Sequence, residues 1–549
     1  MNISILKVIS TKAVILLYMS ILYAQEVATK NGVLKGVIED EIEIFKGVPF
    51  AAAPVGDLRW QAPKPFKSWN GVRLVNKFSP ICMQIGMYPK DSPLEEMSED
   101  CLYLNIWKPQ KETNTDKLPV MVWFYGGGLI NGSASTPLYS GKNLAKQDAI
   151  VITSNYRLGA LGFLAHPELT KEADYKSSGN YGLLDMIAAL QWIQDNIASF
   201  GGDPNNVTIF GQSSGAISIC ALIASPLAQG LFHKAIGQSG GLFEPIELDK
   251  GFSLSTLEQA GERFATRAGV TSLKELRDIP AKDLIKVSVH TSINIDGYVL
   301  KRSPFDAYKS DEHNKVSVLL GNTADEGQEF ISDFSITKET YHEELKKHFP
   351  GWLVWLTAPN PGKTDDEALK AAISFEGDIR FKWNMWAWAK LVSEKKDNKV
   401  YVYQFSKSPP KISNSDKAGL GGAVHGSDLY YVFGNLDPRT RDWTEDDYRL
   451  SSVMIKYWTN FAKYGNPNSE GLPQWPEFSM KSPKALYLDN EIKSSPLITK
   501  GTISKIDRVY SVARFIMKNY IILIFLILAI FSYLTFSLVK RVRNRRINT

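Results

Sequence analysis

Ser213 lies in Gly211-Gln-Ser-Ser-Gly215, between an apolar run, Val207–Phe210, and an apolar stretch, Ala216–Ala224. A serine hydroxyl is a weak nucleophile at its free pKa and needs an adjacent base. A sharp strand-to-helix turn would expose this hydroxyl and point a helix N-terminus at developing negative charge. The flanking residues supply that context, with Val207–Phe210 as the strand and Ala216–Ala224 as the helix. Gly211 and Gly215 leave room for the turn. Seven histidines could supply the base. His425 stands out because Gly421-Gly-Ala-Val-His-Gly-Ser-Asp places it in a glycine-lined loop after a strand ending at Phe405. An orienting acid follows another apolar run in Val318-Leu-Leu-Gly-Asn-Thr-Ala-Asp-Glu-Gly327. On chemistry alone either Asp325 or Glu326 could serve, the other being structural. Tyr125-Gly-Gly-Gly-Leu129 directly follows the run Pro119–Phe124, and consecutive glycines let N–H groups converge on one point. The expected donors to a developing oxyanion are Gly127, Gly128 and Ser214.

The elements that must hold these groups alternate. Strands are expected over Val33–Phe50, Leu118–Tyr125, Ile150–Asn155, Val207–Phe210, Val316–Gly321 and Val400–Phe405. Helices are expected over Gly182–Ile197 and Ala216–Ala224. This predicts an α/β chain with a mainly parallel central sheet and helices on both faces, its chemistry gathered at the carboxyl ends of the strands. The order serine, acid, histidine is that of the α/β-hydrolase fold. No linker or repeat divides the middle of the 549 residues, so one catalytic domain is expected over 25–510. The cluster Trp383, Trp386 and Trp388 reads as core, with a pocket wall as the alternative.

The net charge of +5 comes from the ends. Lys7 and Lys12 in residues 1–24 and five basic residues in 540–549, with no acid in either stretch, leave the body at −2. A nearly neutral body gives no footprint for nucleic acid. Residues 1–24 resemble a secretory signal, with early lysines, an apolar run and cleavage near Ala24. Tyr520–Val539 is uncharged over the length of a membrane-spanning helix, and Lys540–Arg546 follows as a stop-transfer cluster. The expected organisation is a juxtamembrane segment over 511–519, a transmembrane helix over 520–539 and a cytosolic tail over 540–549. That makes a single-pass protein whose catalytic domain is extracellular, luminal or periplasmic. Cys82 and Cys101 could close a disulfide there, while Cys220 reads as a buried thiol. No cysteine–histidine cluster points to a metal, and no cofactor is expected. Neither acceptor pattern in the body, Asn131-Gly-Ser and Asn206-Val-Thr, is expected to be glycosylated.

Taken in order, these motifs resemble the type-B carboxylesterases, the family that includes cholinesterases and neuroligins. The resemblance covers roughly residues 28–495. It rests on Phe45-Lys-Gly-Val-Pro-Phe with Leu58-Arg-Trp, and on Ser98-Glu-Asp-Cys-Leu-Tyr-Leu-Asn105. It rests also on Asn155-Tyr-Arg-Leu-Gly-Ala-Leu-Gly-Phe163, Gly179-Asn-Tyr-Gly-Leu-Leu-Asp185 and Phe200-Gly-Gly-Asp-Pro204, together with the motifs above. It implies a Ser213–Glu326–His425 triad, which selects Glu326 over Asp325. It also implies a Cys82–Cys101 disulfide and a supporting role for Ser239 beside the acid. The implied activity is serine ester hydrolysis on a small-molecule ester. Acyl transfer by the same triad and neuroligin-like adhesion are the rivals. Four departures narrow it: Asp91 where cholinesterases carry a choline-binding tryptophan, no cysteine after Cys220 to form the family's extra disulfide between the elbow and the acid, Leu129 after the glycines where phenylalanine is usual, and Gln212 where glutamate is commoner. The oligomeric state is not legible.

Overall fold

The computed structural model describes residues 23–547 except 86–96, 111–116, 246–249, 332–334, 396–397, 412–420 and 498–500. The expected signal segment and Asp91 therefore lie outside the described residues, apart from Tyr23 and Ala24.

The chain opens with an antiparallel meander: β1 (Tyr23–Thr29), β2 (Gly32–Glu39) and β3 (Ile42–Pro49). Then come β4 (Tyr103–Pro109), β5 (Leu118–Phe124) and β6 (Ile150–Ser154). Helix α1 (Tyr181–Asn196) precedes β7 (Gly202–Gln212), and α2 (Ser214–Ala224) follows it. Strands β8 (Lys234–Gln238), β9 (Ser317–Thr323) and β10 (Val400–Phe405) come next, and β11 (Lys484–Leu488) and β12 (Lys493–Pro496) close the sheet.

These strands form one 13-stranded sheet in the order β1-β2-β3-β4-β6-β5-β7-β8-β9-β10-β11-β12, with a short strand, Val72–Leu74, beside β2. From β6 through β11 every pairing is parallel, and the antiparallel strands sit at the two ends. Every residue of β5 and β6 is buried. A strand with one solvated face would alternate, so the continuous apolar runs mark a sheet centre covered on both sides. This is the sheet expected from the sequence, with β9 displaced by one to two residues and β1 reaching back to Tyr23. Ala24 is buried in β1, but the regular pairing with β2 starts at Glu26 opposite Lys35. Removal of residues 1–24 would leave that register intact.

Four further helices matter below: α3 (Gly351–Thr357), α4 (Asp365–Gly377), α5 (Trp383–Ser393) and α6 (Glu445–Tyr464). Between α4 and α5, Asp378–Lys382 is π-helical. The tryptophans of α5 are largely core: Trp383 and Trp388 are buried and Trp386 is partly buried. The last helix, α7 (Thr502–Ile547), runs 46 residues without a break. Among the described residues no helix is long and apolar enough to cross a membrane. The span expected over 520–539 lies within α7, where the side chains of Ile521, Leu523, Phe525, Ile527 and Val539 fall outside the described ones. The start of α7 is docked on the catalytic body. Ile506, Tyr510 and Arg514 form its buried stripe, Tyr510 meets Trp383 edge-on at 4.7 Å, and Lys390 pairs with Asp507 at 3.0 Å.

Two sequence motifs meet in the core through charge. Asp185 on α1 accepts from Arg157 at three points: the backbone N–H (3.0 Å), Nε (2.8 Å) and Nη2 (2.7 Å). Both side chains are buried. Removing one partner of such a pair strands a desolvated charge, at about 3–5 kcal/mol. Asp185→Asn should lower the urea midpoint of unfolding accordingly. An unchanged midpoint would mean that the pair contributes nothing.

Candidate active site

Ser213 joins β7 to α2 with φ 55° and ψ −127°, a left-handed conformation that a residue bearing a Cβ adopts at a cost of about 1–3 kcal/mol. Its backbone N–H is held by the Gln238 carbonyl at 2.9 Å. The turn closes tightly on β5. A Cβ on Gly215 would lie 2.1 Å from the Phe124 carbonyl oxygen, so only glycine fits there. The strained turn leaves Ser213 half-buried at the carboxyl end of β7, level with the end of β5.

The glycine loop after β5 lies against this elbow. Gly127 has φ 113°, and a Cβ on Gly126 would sit 2.9 Å from the Ser213 Cβ. The Leu129 N–H donates to Ser214 Oγ at 3.1 Å, tying the loop to the first residue of α2. Among the described residues no protein acceptor meets the N–H groups of Gly127, Gly128 or Ser214. Three backbone donors are therefore open beside the serine, at the positively polarised end of an 11-residue helix.

Glu326 and His425 meet across the loops that follow β9 and β10. His425 Nδ1 is 2.5 Å from Glu326 Oε2. The other carboxylate oxygen accepts from Ser239 Oγ at 2.5 Å and from the Thr323 N–H at 2.7 Å. Burial by itself would raise the Glu326 carboxyl, but the His425 imidazole and these donors hold it below its usual value. Burial would likewise lower His425, and the Glu326 carboxylate outweighs that, holding the imidazole above the ordinary 6.5. Asp325 does something else. Its Oδ2 accepts from the Ala423 N–H at 2.8 Å, and its backbone bridges Val424, so it staples the histidine loop to the end of β9.

Several contacts were not legible in the sequence. Gln212 Nε2 lies 3.0 Å from His425 Nε2. An amide NH2 only donates, so Nε2 accepts and the ring proton sits on Nδ1, facing Glu326. No hydrogen bond joins Ser213 Oγ to His425 among the described residues; such bonds are often loose before substrate binds. Phe381, on the π-helical segment, packs 4.3 Å from the imidazole, and Phe330 packs at 5.4 Å. Asp428 accepts from Tyr403 Oη at 2.7 Å and from Gln238 Nε2 at 2.8 Å, anchoring the histidine loop from below. Its place three residues after His425 was the only available signal. Cys82 and Cys101 form the disulfide, and Cys220 is a buried thiol. Among the described residues no group of acidic, histidine or cysteine side chains could hold a metal ion.

The sequence matches the carboxylesterase family over residues 23–502. The chain belongs to the carboxylesterase family. The enzyme is 38% identical to fumonisin B1 esterase of Sphingopyxis macrogoltabida, over 82% of this chain and 84% of that protein. It is 35% identical to para-nitrobenzyl esterase of Bacillus subtilis, over 85% and 95%. It is 34% identical to carboxylesterase 1C of Rattus norvegicus, over 80% and 84%. A solved PNB esterase superposes with a TM-score of 0.76 at 32% identity, covering 88% of this carboxylesterase and 99% of the esterase. The α/β-hydrolase fold follows.

In this carboxylesterase the carboxylate facing the imidazole is Glu326, so Glu326→Gln should reduce ester turnover on the order of 10⁴-fold, as for loss of an orienting acid elsewhere. Without that carboxylate the base titrates lower, so the acid limb of residual kcat/KM should move to lower pH. Asp325→Asn keeps an acceptor for the Ala423 N–H and should leave both rate and pH profile nearly unchanged. The reverse ranking, on folded protein, would assign the role to Asp325.

Proposed function

We propose that Ser213 is the nucleophile of a serine ester hydrolase acting through an acyl-enzyme. The observation that carries this is the 2.5 Å Glu326–His425 pair standing beside a strained serine and open backbone donors. His425 Nε2 takes the Ser213 proton as Oγ attacks the carbonyl carbon of a carboxylic ester. The N–H groups of Gly127, Gly128 and Ser214 receive the oxyanion, each worth on the order of 3 kcal/mol. Glu326, supported by Ser239, stabilises the imidazolium. His425 then returns the proton to the departing alcohol. Water, deprotonated by the same imidazole, releases the carboxylic acid and restores Ser213. The substrate is a small-molecule carboxylic ester, the class named in the fumonisin B1 and para-nitrobenzyl esterases. Ser213→Ala should lower turnover by several orders of magnitude without unfolding the enzyme. A fluorophosphonate probe should label the wild type at Ser213. Labelling that persists in Ser213→Ala would falsify the assignment.

We further propose that 520–539 anchors the enzyme as a single membrane-spanning helix, with 25–510 on the non-cytosolic side and 540–549 in the cytosol. The sequence supports it, with twenty uncharged residues followed at once by five basic ones. A helix of that length spans about 30 Å, the thickness of a bilayer core. The described side chains of this stretch include exposed Ile522, Leu526, Phe531 and Leu538, a surface that water disfavours. The Cys82–Cys101 disulfide suits an oxidising compartment. Protease added to sealed right-side-out vesicles should digest the body and spare a C-terminal tag. A cleaved tag with a protected body would reverse the orientation.

A further inference from the structure

Helix α7 has two unlike faces where it is docked. Ile506, Tyr510 and Arg514 fall on one stripe and are buried against the catalytic body. Arg514 donates to the Phe243 carbonyl at 2.5 Å and stacks on Phe305 at 3.5 Å, and Lys518 reaches Asp306 at 2.9 Å. The segment up to Lys518 is thus held to the body. A surface helix with one buried stripe is ordinarily polar on the other. Here the outer face already carries Val512, Phe515 (62% exposed) and Ile516, all before Tyr520. From Val512 to Tyr520 is about 12 Å of helix. Beside it, α3 packs on α7 and presents Trp352 (53% exposed), Trp355 (80% exposed) and Leu356 at i, i+3 and i+4. Trp355 is the most exposed of the large apolar side chains described.

We infer that the face made by Trp352, Trp355 and Leu356 of α3 with Phe515 and Ile516 of α7 lies in the interfacial layer of a phospholipid bilayer. The catalytic body then rests on the lipid instead of standing off it. This deepens the anchored reading and rests on it. The apolar outer surface of α7 begins on the segment still bound to the body, so the apolar side of the membrane interface must reach that level. Because α3 packs directly on α7, its exposed tryptophans are placed by this inference in the same layer. Tryptophan suits it, because an indole buries its rings among acyl chains and keeps its N–H among headgroups. The buried stripe of α7, opposite this face, is linked to the chemistry. Trp383, which meets Tyr510 of α7, is two residues from Phe381, the ring against His425. The substrate class that this placement favours is an ester that partitions into the bilayer.

The test uses the full chain in sealed phosphatidylcholine vesicles, with an environment-sensitive maleimide dye at one introduced cysteine per variant. The native disulfide and the buried Cys220 do not compete for the dye. Trp355→Cys reports the proposed face, Tyr464→Cys an exposed site on α6, and Tyr533→Cys the proposed span. Lipids carry a nitroxide quencher either near the headgroup or deep in the acyl chain. Turnover of a water-soluble ester, which should be unchanged in all three, confirms folding. The expected result is loss of Trp355→Cys fluorescence to the shallow quencher, none for Tyr464→Cys, and loss to the deep quencher for Tyr533→Cys. If Trp355→Cys is as unquenched as Tyr464→Cys while Tyr533→Cys is quenched, the lipid-resting face is wrong and the anchor stands. Quenching at Trp355→Cys alone removes the anchor and overturns the inference that rests on it, leaving only a lipid contact of another origin. No quenching at either overturns both.

Discussion

A serine forced to φ 55° is the constraint from which the site is built. The conformation persists because the turn is over-determined. β5 and β8 flank β7 in parallel register, the Gln238 carbonyl holds the Ser213 N–H, and Gly215 lets α2 start directly over the end of β5. The same close approach brings the glycine loop beside the serine and lets Ser214 Oγ tie it down. The strain, the open N–H groups and the half-buried position of Ser213 at the end of β7 are therefore one geometric fact. Relaxing the turn would lose all three together.

The second requirement is a buried charge with full support. Glu326 is inaccessible to water, and an isolated carboxylate there would take up a proton instead of ionising. Three donors remove that option: the imidazole, the Ser239 hydroxyl and the Thr323 N–H. A second layer holds the donors in turn. Gln238 bonds Asp428 through its amide nitrogen and receives the Trp458 indole N–H on its amide oxygen, while its carbonyl holds the elbow. One glutamine at the end of β8 thus links the Ser213 turn to the histidine loop. The Gln212 amide at His425 Nε2 supplies a neutral neighbour in place of a charge. An anion there would add to Glu326 in favouring the imidazolium.

The carboxyl-terminal helix α7 is docked on this machinery. Its buried stripe reaches the loop after β8 through Phe243 and the π-helical region through Trp383. The catalytic body and the apolar helix are consequently not separated by a flexible tether. The uninterrupted helix sets the orientation of one against the other.

Much of this was legible in one dimension, because it depends on local spacing. The elbow reads from a strand, a Gly-x-Ser-x-Gly turn and a helix; the buried sheet centre reads from continuous apolar runs such as Leu118–Phe124; the apolar end of α7 reads from twenty residues without charge. Trp383 and Trp388 are core, as the sequence reading expected while leaving a pocket wall open. Other features were decided only by the fold. Asp325 and Glu326 are neighbours with the same chemistry. The bridge from Asp325 to Val424 turns one carboxylate to a backbone N–H, and the tight helical turn Glu326–Phe330 turns the other to the imidazole. Gln212 and Phe381 reach His425 from two different elements, one of them a π-helical turn with no sequence signature, while Asp428 ties the histidine loop to Tyr403 and Gln238. Periodicity and turn chemistry act over a few residues and are written in the sequence. Which of two adjacent side chains faces a partner about a hundred positions away is set by strand register and packing, which exist only once the sheet has closed.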